Sequence, residues 1–218
     1  MAPIFDCSVK SELLTGMRLA RKAIARGDLV VLPTDTVYGV AADAFNPAAV
    51  QKLIFAKGRT RRAPTPVLIP GIPTLDALAQ SVPDEVRALV TAFWPGGLTV
   101  IVPAQSSLNW DLGETRGTVA LRMPSNEIAL ALLSDTGPLA VSSANHTGET
   151  PAATAADAER MLGAAVSVYL DDGVGGSVPS TIVDATALVK AGGKLRIVRE
   201  GTISAGQIRE LVGAERCE

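Results

Sequence analysis

One histidine, His146, and two cysteines, Cys7 and Cys217, are the only imidazole and thiol side chains in 218 residues. A structural zinc site needs four Cys or His ligands at short spacing, so that class is excluded. Two thiols near opposite ends build no disulfide framework, and a reducing compartment fits them. No apolar run approaches the roughly 20 residues of a membrane span. Met1-Ala2-Pro3-Ile4-Phe5-Asp6 lacks the basic start and apolar core of a secretory signal. A soluble cytoplasmic protein without membrane attachment is the expectation. An excess of positive charge is also missing, with 20 basic residues against 22 acidic and a net charge of -2. A protein held to nucleic acid by bulk electrostatics usually shows a basic domain. No Gly-Lys-Ser/Thr follows the glycine-rich stretch Gly173–Gly176, which rules out a Walker loop, and the dinucleotide glycine spacing is absent.

What the chain does have is apolar residues, 47% of the total, enough to bury a substantial core. Leu13, Leu14, Met17, Leu19, Ala20 and Ile24 recur at helical spacing and Gly27 closes that helix. Asn46-Pro47 is a cap followed by a first-turn proline, after which Val50, Leu53, Ile54 and Phe55 are expected to face a core. Further helices are expected over 74–80, 83–93, 126–133, 154–162 and after Ser204. Short apolar runs predict strands at 29–32, 67–69, 98–102, 118–121, 139–141, 166–170, 181–183 and 195–198. Several strands follow one another without a helix between, which predicts a mixed, twisted sheet flanked by helices rather than a purely parallel one. One domain over 1–218, with a core at about 17–203, is the simplest organisation.

Two segments carry the chemistry best. Lys57-Gly58-Arg59 offers an ammonium and a guanidinium two residues apart, at a helix end. Ser142-Ser143-Ala144-Asn145 offers two hydroxyls and an amide past a buried strand. Together they suit a polyanion, charged donors on one side and neutral donors on the other. Pro33-Thr34-Asp35-Thr36-Val37-Tyr38-Gly39 is a polar loop at a strand end, where α/β folds often bind ligands, although ordinary turns look the same. Arg122 interrupts an apolar strand on the same side as Thr118, and an arginine there needs an anion, internal or from a ligand. Phe93-Trp94-Pro95-Gly96-Gly97-Leu98-Thr99 reads as architecture. The acids Asp171 and Asp172 read as a turn ahead of a magnesium site, and His146 as a rim residue ahead of a general base.

The segments Leu32–Gly39, Lys57-Gly58-Arg59, Phe93-Trp94-Pro95-Gly96, Ser143-Ala144-Asn145 and Pro179-Ser180-Thr181 resemble, in order and rough spacing, the YrdC-like family of threonylcarbamoyl-AMP synthases. The resemblance implies an α/β fold with a concave central cavity. It implies synthesis of threonylcarbamoyl-AMP and pyrophosphate from L-threonine, bicarbonate and ATP, the first step of tRNA threonylcarbamoyladenosine modification. ATP is then a substrate, expected with Mg2+ and without a protein-held metal or an organic cofactor. A separate tRNA threonylcarbamoyl transferase complex takes the product, and weak RNA binding is a further possibility. By motif, Thr36, Arg122, Val141 and Ser180 match threonine-binding positions. Arg59, Thr118, Ser143 and Arg199 match ATP-binding positions, and Lys57, Arg59 and Asn145 match catalytic ones. Thr60, Ala63 and Pro70 stand where the family often has Pro, Asn and a strand-ending His. The alternatives are a related carbamoyl-handling domain and a non-catalytic binder of double-stranded RNA or tRNA.

Overall fold

Leu29–Leu32 (β2) is buried along its whole length, as a strand covered on both faces must be, and it fixes one half of the sheet. The computed structural model describes residues 2–218. Its other strands are β1 (Ile4–Asp6), β3 (Gly39–Asp43), β4 (Val67–Leu68), β5 (Leu98–Pro103), β6 (Thr118–Arg122), β7 (Leu139–Ser143), β8 (Val166–Asp171), β9 (Thr181–Asp184) and β10 (Arg196–Arg199). They form one sheet in the order β1-β8-β2-β3-β7-β4-β6-β5-β9-β10. The pairs β1–β8, β2–β8, β4–β6 and β5–β9 are parallel and the rest antiparallel, so the sheet is mixed, as expected. The helices are α1 (Lys10–Ala25), α2 (Pro47–Ala56), α3 (Ile72–Leu78), α4 (Asp84–Phe93), α5 (Glu127–Thr136), α6 (Ala155–Leu162) and α7 (Ala205–Val212). None of the described helices is long and apolar enough to cross a membrane.

Strand alternation distributes the core over three clusters. Met17, Ala20 and Ile24 of α1 and Leu132 and Leu133 of α5 cover Val30, Leu32, Ala41 and Leu139 on one face. Leu53 of α2 and Ala155, Ala158 and Leu162 of α6 cover Leu29, Val31, Val40 and Ala42 on the other. Beyond β7 that second face continues to be covered, whereas on the first only Leu68 of β4 still joins the apolar cluster. On the second face Leu75, Leu89, Val90 and Ile208 pack on Val67, Val100, Leu121 and Val183, each fully buried side chain contributing about 1.5–3 kcal/mol. On the opposite face of the same strands, Ile101, Ala120 and Ile182 stay partly exposed. This uncovered sheet face is the floor of a concavity.

Local chemistry sets the element ends. The Asn46 side chain accepts from the Ala48 and Ala49 N–H groups, with Pro47 in the first turn. Gly27 takes φ 74° after α1, a conformation that costs glycine nothing. Two expectations need correction. Phe55 is 73% exposed, because Val50, Leu53 and Ile54 already define the inner stripe of α2 and Phe55 falls outside it. Leu14 is likewise 63% exposed. Outside 17–203, β1 joins the sheet and Ile208 and Cys217 are buried in the same cluster as α4 and β5 residues. Strands β1 and β3 escaped the pattern: β1 has three residues, and Gly39-Val40-Ala41-Ala42-Asp43 is poor in the β-branched residues that mark strands.

Candidate functional site

The uncovered sheet face opens into a cavity of about 340 Å³. Its floor is Leu68, Thr99, Arg122, Val141 and Ile182; its walls carry Thr34, Thr36, Tyr38, Arg59, Ser142, Ser143, Ser180 and Arg199. Among the described residues, three arginines and no carboxylate line it. Burial weakens the charged form of each, the Arg122 charge adds to this at Arg199, and Asp35 offsets it only in part at Arg122, so all three arginines are held below their ordinary range. A bound anion relieves both effects.

Arg122 is 6% exposed at the end of β6. Its Nε donates to the Gly96 carbonyl at 3.0 Å and its Nη1 to Thr36 Oγ1 at 2.7 Å. Nη2 lies 2.7 Å from Asp35 Oδ1 as an ion pair, yet its N–H bonds are not aligned on any acceptor. Asp35 thus compensates this buried donor from within the protein. Asp35 is itself fixed by the Ser125 N–H at 2.9 Å. The turn at Trp94–Gly97 therefore does more than architecture, because it supplies the carbonyl that steers the guanidinium. Trp94 Nε1 donates to the Leu98 carbonyl and holds that turn to β5.

The Thr34–Tyr38 loop is bound internally and to the glycine-rich segment. Thr34 Oγ1 donates to the Val37 carbonyl and accepts from the Thr36 N–H. The Tyr38 hydroxyl donates to the Gly173 carbonyl at 2.6 Å and accepts from the Asp172 N–H at 3.0 Å. Asp171 accepts from the Gly173 N–H and so serves the turn, whereas Asp172 accepts from the Asn126 amide and ties the loop to the start of α5. Among the described residues no group of three or more His, Cys, Asp or Glu is placed to hold a metal. Gly176 packs so closely that a Cβ there would sit 2.1 Å from the Thr36 carbonyl oxygen. Gly176→Ala is expected to displace Thr36 from Arg122 and lower stability by about 1–3 kcal/mol, read by chemical denaturation. Wild-type stability in that variant would show that the two segments are not tightly coupled.

Lys57 does not present its charge to the cavity. It is fully buried, and Nζ donates to the Ser143 carbonyl at 2.5 Å, the Asn145 carbonyl at 2.6 Å and Asn145 Oδ1 at 3.0 Å. Its three N–H donors are taken. Burial and the Arg59 charge push the ammonium down to about 7, against the pull of those oxygens. Asn145 is a scaffold too, its amide donating to the His146 and Glu149 carbonyls. Arg59 reaches the cavity from the same loop, with Nη1 on Ser142 Oγ at 3.1 Å and Nε on Thr147 Oγ1 at 3.2 Å. Arg199 Nε and Nη2 donate to the Ser180 carbonyl at 3.0 and 2.8 Å.

Thr36, Arg59, Arg122, Val141, Ser143, Ser180 and Arg199 thus meet in one cavity. Lys57 and Asn145 lie behind its wall. Thr118 lies off it, four residues along β6 from Arg122 and donating to the Thr115 carbonyl. His146 is exposed and outside the lining. β4 ends at Leu68, so the strand-ending position that faces the cavity is Leu68 and not Pro70. Thr34, Ser142 and Thr99 also line it. The only sequence signal for Thr99 was a polar residue inside an apolar strand.

Comparison with known proteins agrees with this geometry. A candidate threonylcarbamoyl-AMP synthase of Mycobacterium tuberculosis is 45% identical over 216 residues, 99% of this chain and 97% of that protein. The threonylcarbamoyl-AMP synthase of Bacillus subtilis is 34% identical over 197 residues, and the chain spans 56% of its length. The crystal structure of Pyrococcus abyssi Sua5 complexed with L-threonine superimposes with a TM-score of 0.87 at 30% identity, covering all of this chain and 63% of that one. Residues 22–201 match the Sua5–yciO–yrdC family, described as "Telomere recombination". On this fold, this cavity and these matches, the chain belongs to the Sua5–yciO–yrdC family.

Proposed function

We propose that the chain is a threonylcarbamoyl-AMP synthase. The observation that carries this reading is a cavity with three arginines, a row of hydroxyls and no carboxylate, in a relative of proteins that bear that name. Bicarbonate and the threonine amine form a carbamate with loss of water. A carbamate oxygen then attacks the α-phosphorus of ATP, the bond to the β-phosphate oxygen breaks, and pyrophosphate leaves. No enzyme nucleophile is needed, so the protein positions its substrates and stabilises charge.

Arg122, with Thr36 beside it, takes the amino-acid carboxylate; Val141 is an apolar wall and Ser180 a polar contact. Arg59 and Arg199 neutralise phosphate charge, and Ser143 donates to the nucleotide. Lys57 and Asn145 act at one remove, by holding the Ser143 loop. Because no carboxylate lines the cavity, Mg2+ would enter on the phosphate oxygens rather than in a protein cage. The mixed anhydride hydrolyses readily in water, which calls for prompt delivery to a separate tRNA threonylcarbamoyl transferase complex. The whole chain, 1–218, serves as one catalytic domain.

The deciding experiment is pyrophosphate release with ATP, threonine and bicarbonate, omitting one at a time. Release is expected only when all three are present. Equal release from ATP alone would identify a phosphohydrolase instead.

A further inference from the structure

Thr99 has no task in the scheme above, yet it is 3% exposed on the cavity floor, between Leu98 and Val100 of β5. Its Oγ1 lies 2.8 Å from Ser180 Oγ, and no other hydrogen bond to Oγ1 exists among the described residues. Valine would fill the same shape without the desolvation cost of a hydroxyl. Ser180 is the one partner the protein supplies, and the pair it forms keeps bonding capacity of its own.

Counting protons defines that capacity. Two hydroxyls bring two protons, and the bond between them uses one. Arg199 Nη2 occupies a Ser180 lone pair at 3.2 Å. The pair is left with one uncommitted O–H and at least one uncommitted lone pair, which is the complement of a ligand hydroxyl that both donates and accepts. Leu68, Val141 and Ile182 around it are apolar and offer such a hydroxyl nothing. Both substrates carry hydroxyls, on the threonine side chain and on the ATP ribose. Position favours the amino acid. The register Val100↔Leu121 between β5 and β6, continued by one residue, sets Thr99 beside Arg122, within a small molecule's reach of the carboxylate clamp.

We propose that Thr99 is a specificity-determining residue, acting with Ser180 as a two-hydroxyl reader of the amino-acid side-chain hydroxyl. The inference rests on the synthase reading. The test compares threonine with 2-aminobutyrate, which lacks only the hydroxyl, and ATP with its 2′- and 3′-deoxy forms. Wild type is expected to prefer threonine strongly. Thr99→Val should cut that preference about tenfold or more through KM for threonine, leave kcat/KM for 2-aminobutyrate unchanged, and leave the response to deoxy-ATP unchanged; Thr99→Ser should restore it. Should Thr99→Val not fold, Thr99→Ala and Ser180→Ala serve, with the double variant losing no more preference than the worse single one. Equal losses for both amino acids, a wild type that does not discriminate, or a change confined to deoxy-ATP would overturn the inference. A wild type that releases no pyrophosphate with threonine and bicarbonate overturns the synthase reading instead.

Discussion

Lys57→Met is expected to destabilise the protein by about 3–5 kcal/mol and to lower Tm by roughly 10 °C. Methionine keeps the length and apolar stem of lysine but leaves two carbonyl oxygens and Asn145 Oδ1 without their donor in a site closed to water. Each orphaned acceptor costs about 1–3 kcal/mol, partly offset because a buried charge has also gone. Lys57→Arg should not rescue, since a guanidinium does not fit where an ammonium is fully enclosed. Thermal unfolding with and without ATP separates this role from a phosphate contact. A phosphate ligand would leave Tm of the free protein unchanged and raise the ATP requirement alone, and that outcome would return Lys57 to the cavity.

The same residue marks how far the sequence reached. Lys57 and Asn145 were legible as a pair, because charge and amide in matching motifs are unusual together. Their geometry was not, because nothing in a linear pattern tells whether a lysine near a helix end turns outward to a ligand or inward to a loop. The mixed sheet followed from strands that succeed one another without helices, and helix limits followed from Asn46-Pro47 and Gly27. β3 was hidden because its glycine and alanines carry no strand signal, although it pairs with β2 and β7 along its length. Arg122 was legible as an arginine that needs an anion, and the structure supplies the internal one, Asp35 at 2.7 Å from Nη2. Thr99 could not be recognised before Ser180, 81 residues away, was placed beside it.

Arg122→Ala is expected to raise the threonine KM at least tenfold, and up to a few hundredfold, with little change in the ATP KM. Losing one charge-assisted bond to a carboxylate costs about 1.5–3 kcal/mol. A second effect adds to it. Asp35, behind the cavity wall, is left without its cation, and its charge repels the substrate carboxylate. Asp35→Asn in the Arg122→Ala background removes that repulsion and should recover part of the lost affinity, although the direct bond stays lost. In the wild-type background Asp35→Asn should do the opposite, because it frees Arg122 to move off Thr36. Initial rates of pyrophosphate release, titrated separately in threonine and ATP for the four proteins of this cycle, read all of these effects. Opposite signs for Asp35→Asn in the two backgrounds are the signature of a carboxylate that serves the clamp through the arginine. A defect confined to the ATP titration would place the amino acid elsewhere in the cavity and assign Arg122 to the phosphates.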